Sequence, residues 1–225
     1  MTENIKPKRP FDSVLKRNPD LFQFKTLLLL KPMNHFFLGL YMDPGRSFKY
    51  FSPTIVKMPI FTGMGVHSHT NPRVDLPGVG LFYWAETETM NALRDLIHDR
   101  ILPDLRNTNT FENFIMPECW FTRGRQPSLE MSYVHLEIEI ARADLEAADR
   151  IAQEHILNVQ LNNWQMRNEQ FLNWMRRKNR TVELLAARDI SGLVNILRES
   201  EQRSIALEKL EKYWEPTPFP LEQLL

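Results

Sequence analysis

The residue pair that most invites chemistry is His67-Ser68-His69, in a stretch that follows Gly63 and Gly65. On an extended backbone, two His one residue apart point to the same side and offer neutral imidazole nitrogens, the donors that hold zinc and similar ions. A complete site needs further ligands. Asp75 is close in sequence, and His135, Glu137 and Glu139 converge on it if residues 131–140 form a strand. The sequence thus nominates His67, His69, His135 and Glu137 as a metal set, which would make the chain a metal-dependent hydrolase. The plainer account is a pair of exposed loop histidines, because no longer signature of the His-Glu-x-x-His kind accompanies them.

The row His135, Glu137, Glu139 also has the makings of an acid and base, since neighbouring carboxylates push their pKa values apart. That idea holds only on a strand; on a helix the three residues no longer share a face. Cys119, between Glu118 and Trp120, has no neighbouring His to activate it, and a buried structural thiol is the better account. Ser68 lacks the Gly-x-Ser-x-Gly setting of a reactive serine. Gly63-Met64-Gly65 and Gly78-Val79-Gly80 lack the third Gly and the Lys-Ser or Lys-Thr of a phosphate cradle. No cofactor is expected, a metal ion apart.

One local charge cluster stands out: Arg176, Arg177, Lys178 and Arg180, with Arg167 upstream and Trp174 adjacent. Cations beside an exposed aromatic suit a nucleic-acid strand, through phosphate contacts and base stacking. Against this, cations near a helix end are explained by the helix dipole, and Trp174 also falls on an apolar stripe.

The elements that must position these residues change character near residue 85. Upstream, aromatic and aliphatic runs punctuated by Pro and Gly predict short strands: Leu21 to Leu30, His35 to Met42, about Phe48 to Val56, and Gly78 to Trp84. Asp43-Pro44-Gly45-Arg46 reads as a turn, and Pro53 needs an edge or a bulge because it offers no N–H. Downstream, Met90, Leu93, Ile97 and Ile101 recur at helical intervals, and Pro103 predicts the end or a kink of that helix. The aromatic-rich connection 107–127 is expected to pack across the sheet or the next helices. Met131 to Ala141 fits either a strand or a helix, with its β-branched residues favouring the strand. From Asp144 the chain reads as helical, with Asp189-Ile190-Ser191-Gly192 a break at which Asp189 or Ser191 caps the next helix. The tail from Glu215, containing Pro216, Pro218 and Pro220, is expected to be extended. No period near roughly 34 residues repeats, which argues against helical-repeat arrays.

The fold class is therefore α+β: a small antiparallel sheet with a helix over residues 1–142, then a helical hairpin or bundle over 143–225, forming one continuous folding unit. The 225 residues carry 28 basic and 28 acidic side chains, a balance that excludes a surface wholly devoted to nucleic acid or anionic lipid. The single Cys removes any intramolecular disulfide and suits a reducing compartment. The longest purely apolar run, Leu27 to Leu30, is far short of the roughly 20 residues of a membrane span, and the first residues do not lead into a secretory signal. The chain is read as soluble and cytoplasmic, with no membrane partner. With five Trp, fourteen Phe and ten Met, the leading functional expectation is a non-enzymatic protein-binding module of immunity, inhibitor or adaptor type whose partner is another protein. A metal-dependent hydrolase using His67 and His69 is the alternative, and nucleic-acid binding through Arg176 to Arg180 comes third.

Overall fold

The computed structural model describes residues 11–44, 50–63, 82–114, 128–157 and 169–225. The chain divides into two compact units. Of the described residues, the first holds 11–44, 50–58, 82–114 and 212–215; the second holds 59–63, 128–157, 169–211 and 216–225. Residues 59–63 and 128–142 thus fall in the second unit, and a short segment near the carboxyl end, 212–215, belongs to the first.

The first unit is built on a five-stranded antiparallel sheet in the order β1 (Leu21–Phe24), β2 (Leu27–Leu30), β3 (Phe36–Pro44), β4 (Tyr50–Pro59), β5 (Phe82–Tyr83). One expected strand, Leu21 to Leu30, is in fact a hairpin. Leu21 pairs with Leu30 and Phe24 with Leu27, so the chain reverses at Lys25-Thr26. Lys25 adopts a φ of 54°, a conformation that the alternating pattern gave no reason to expect. The four leucines of β2 are all buried, because this strand is covered on both faces. Pro53 lies within β4 beyond Tyr50 and Phe51, the β4 residues that pair with β5 among the described residues. The expected turn at Asp43-Pro44-Gly45-Arg46 overlaps the end of β3 and then passes outside the described residues.

Short helices cover this sheet. Helix α1 (Asp12–Arg17) buries Val14, and Asn18 closes its end by donating from Nδ2 to the Val14 carbonyl at 2.8 Å. Helix α2 (Thr87–Leu96) presents Met90 and Leu93, and Ile97 and Ile101 continue the same buried stripe through a π-helical turn, Ile97–Ile101, into α3 (Leu102–Asn107). Pro103 does not end the helix. The wider turn before it absorbs the hydrogen bond and the space that the proline ring would otherwise disrupt, and the chain stays helical to Asn107. At the far end of α3, Arg106 grips Asp20 through Nε and a terminal nitrogen at 2.8 and 2.9 Å and also reaches the Asn18 side chain. This guanidinium holds the Asp20 carboxyl below its usual pKa. Of the aromatic connection, Phe111 and Phe114 are buried in this unit, with Phe114 stacked on Phe36 at 4.3 Å between ring centroids; residues 115–127 lie outside the described residues. Residues 212–215 form a strap in which Tyr213 stacks on Phe22 at 3.6 Å and Trp214 bridges to Met33.

The second unit is helical. Helix α4 (Leu129–Ala141) replaces the expected strand. Ser128 caps it by accepting from the Met131 N–H, and apolar side chains are buried around its whole circumference. Burial on most sides is why the sequence alternates as well as a strand does: a helix so enclosed has no wide polar stripe to reveal its period. Helix α5 (Leu145–His155) starts at the Asp144 cap, and α6 (Glu169–Ala186) and α7 (Ile190–Glu208) meet at Asp189, whose side chain accepts from the Gly192 N–H at 2.9 Å. The tail is not simply extended. Pro220–Leu224 forms a 3-10 turn, Phe219 and Leu221 are fully buried, and Arg198 of α7 clamps the segment. One end of its guanidinium bonds the Thr217 carbonyl and Glu222, the other reaches the buried Glu201, and its flat face covers the Phe219 ring at 4.3 Å. No helix among the described residues is long and apolar enough to cross a membrane.

Gly39 in β3 faces Leu29, and a Cβ placed there would lie 1.9 Å from the Leu28 carbonyl oxygen. Gly39→Ala is therefore expected to force the β2–β3 pair apart and lower stability by at least about 2 kcal/mol, read as a fall in the urea midpoint.

Candidate functional site

The sequence proposed residues for two unrelated activities that meet in a single contact. Lys178, one of the basic cluster, and Glu137, one of the metal set, lie on α6 and α4, and both are buried in the second unit. The Lys178 ammonium donates to both Glu137 carboxylate oxygens at 2.6 Å and to the Thr62 carbonyl at 2.9 Å. An ammonium has three N–H donors, so these acceptors use all of them. Lys178 is thereby a structural cation and is removed from the solvent-facing cluster. Burial pushes the Glu137 carboxyl above its ordinary range, and the adjacent ammonium pulls it back.

Each partner is placed by local sequence. Thr62 belongs to a 3-10 turn, Ile60–Thr62, that ends on Gly63 with a φ of 70°, and this geometry leaves the Thr62 carbonyl available to Lys178. Next to Glu137, one turn toward the start of α4, Tyr133 is fully buried and donates from its hydroxyl to Asn179 Oδ1 at 2.6 Å. Burial, reinforced by the Glu137 charge, pushes the Tyr133 phenol up to about 12.

The ion pair forms part of the wall of a pocket of about 80 Å³. Trp174, Arg177 and Thr181 share the same face of α6 as Lys178, and Ile196, Ser200 and Arg203 share one face of α7. Thr181 is buried, and its hydroxyl has no hydrogen-bond partner among the described residues. Arg177 and Arg203 are exposed, and among the described residues neither has a carboxylate within ion-pair distance. The remaining cations of the cluster diverge: Arg176 and Arg180 are exposed, and Arg180 pairs with Glu183 at 3.1 Å. Trp174 is half-buried against Tyr133 and Phe171 rather than standing free in solvent.

Of the other nominated residues that the structure describes, His135 and Glu139 do not line this pocket. His67, His69, Asp75 and Cys119 lie outside the described residues. On helix α4, His135 turns away from Glu137 and lies 3.5 Å from Glu139, which also accepts from Arg142 at 3.0 Å. The His135, Glu137, Glu139 row, whose acid–base chemistry required a strand, is thus split between two faces of a helix. His135 and Glu139 line a separate cleft of about 450 Å³ with Arg150, Glu154 and His155. Among the described residues no group of three or more His, Cys, Asp or Glu is arranged to hold a metal ion.

Sequence reasoning missed Thr62, Thr181, Ser200 and Arg203. One signal was present in α7: Glu201 and Ser204 fall on its buried face, and polar side chains in an apolar stripe require partners. No local signal pointed to Thr62, since it takes part through its backbone carbonyl.

Two measurements check this arrangement. Lys178→Met strands a buried carboxylate and is expected to cost about 3 to 5 kcal/mol in urea unfolding, whereas adding Glu137→Leu removes the stranded charge and recovers most of the loss. The raised Tyr133 pKa implies stability that is complete below the unfolded-state value near 10 and lost as pH rises to about 12. A late-titrating tyrosine in ultraviolet difference spectra, absent from Tyr133→Phe, is the expected sign. No family model, curated protein or solved structure matches the chain.

Proposed function

We propose that this chain is a non-enzymatic protein-binding module, of adaptor or immunity type, that acts by stoichiometric association with another protein. The observation that carries this reading is a groove of about 460 Å³ in the first unit. Pro19, Pro32, Tyr213 and Trp214 supply flat apolar walls, and Lys31 and Lys212 add cations. The Trp214 indole N–H is buried and finds no acceptor among the described residues. An unpaired buried donor costs about 1 to 3 kcal/mol, which a carbonyl from an incoming chain would offset. Proline and aromatic walls suit an extended peptide segment, whose backbone supplies carbonyls and whose side chains alternate between the walls. The single Cys accords with a cytoplasmic setting for such a module.

The rival readings have less support. A metal-dependent hydrolase through His67 and His69 loses Glu137 as a ligand, because that carboxylate is committed to Lys178. Nucleic-acid binding loses Lys178 for the same reason, leaving Arg176, Arg177 and Arg180.

Affinity capture from the source cells tests the proposal, using the intact chain and a Trp214→Phe variant that keeps the aromatic bulk and removes the N–H. A protein retained in about equimolar amount by the intact chain, and reduced at least about tenfold by the variant, is the expected result. A capture that returns no reproducible stoichiometric protein overturns it, provided the chain used melts cooperatively.

A further inference from the structure

We infer that the pocket between the facing sides of α6 and α7 is a binding site for a small, doubly charged tetrahedral oxyanion: phosphate, free or as a terminal monoester. It lies in the second unit and is independent of the peptide groove. Four observations converge on this ligand. The first is charge. Among the lining residues, Lys178 and Glu137 cancel one another, so Arg177 and Arg203 leave two positive charges unanswered. A dianion balances them, where a carboxylate would balance only one.

The second is the donor set. Two guanidinium groups carry fork-shaped N–H pairs that match oxyanion geometry, and Ser200 adds a hydroxyl at the same pocket. The third is the Thr181 hydroxyl, buried in the pocket wall without a partner among the described residues. Most buried polar atoms find a hydrogen bond, and an oxyanion in the pocket would supply this hydroxyl with an acceptor after a χ1 rotation, because as it stands the atom is closed to solvent. The fourth is size. About 80 Å³ accommodates a few water molecules or one small oxyanion and excludes a nucleotide base or a sugar ring from the interior. Any organic group esterified to the phosphate must therefore remain outside.

Lys178 has a defined part in this site without touching the ligand. Its three donors are already taken by Glu137 and Thr62, so it fixes the floor and keeps the local pair neutral. Selectivity then rests with the two arginines and the hydroxyls.

Titration calorimetry with inorganic phosphate and, separately, phenyl phosphate tests the assignment on the full chain. Saturable one-to-one binding is expected, with Arg177→Ala and Arg203→Ala each weakening it about tenfold. Tighter binding of phenyl phosphate identifies a monoester as the ligand, and equal or weaker binding identifies the free ion. The sharpest arm is Thr181→Val. Replacing an unpartnered hydroxyl by a methyl group of the same shape should leave the melting temperature of the ligand-free protein unchanged or raised, while phosphate affinity falls about threefold or more. A residue serving only the packing would not separate these two readouts. Failure of both probes to saturate below about 10 mM, or unchanged binding in the Arg177→Ala/Arg203→Ala double variant, overturns the site.

Discussion

A buried ammonium must find three acceptors or leave the interior, and the second unit is arranged around the one that finds them. Lys178 ties α6 to α4 through Glu137 and both to the Ile60–Thr62 turn through a backbone carbonyl. A buried ion pair of this kind is weak evidence for stability, since the desolvation cost of both charges offsets much of their attraction. Its consequence is geometric. The three bonds must be met together, so helix, helix and turn are held at one another's side by polar contacts as well as by apolar packing. The same placement lines up Arg177 and Thr181 on the pocket face of α6.

Arg198 repeats the principle toward the end of the chain. Its guanidinium satisfies the buried Glu201 on its own helix and, in the opposite direction, orders the last turn through Glu222, the Thr217 carbonyl and the Phe219 face. The chain supplies residues 212–215 to the first unit and the following residues to the second, so this clamp holds a segment that three prolines would otherwise leave without helical hydrogen bonds. In both cases a long cation resolves a local conflict between backbone chemistry and burial.

The places where sequence reasoning succeeded share a feature: the signal and its cause lie within a few residues of one another. The sheet strands β3 to β5, the Met90, Leu93, Ile97 and Ile101 stripe, the helical reading from Asp144 and the cap at Asp189 are of this type. Where it failed, a distant neighbour decided. Leu21 to Leu30 reads as one strand because both arms of the hairpin are apolar, and the reversal needs only a positive φ at Lys25. The segment 131–141 alternates like a strand because packing buries all of it but the half-exposed His135. Pro103 is tolerated because the preceding turn widens.

By itself, then, the sequence determined the α+β class, the balance of charge and the residue types available for chemistry, since composition and local periodicity need no knowledge of the partner surface. It even nominated both Glu137 and Lys178, but for separate purposes. That they form one ion pair, and that among the described residues Arg177 and Arg203 are left without carboxylates and the buried Thr181 hydroxyl without a partner, were decided by tertiary structure alone. The physical reason is that hydrogen bonding and desolvation depend on which atoms come within about 3 Å of one another, and residues 41 apart in the chain meet only when the helices carrying them pack.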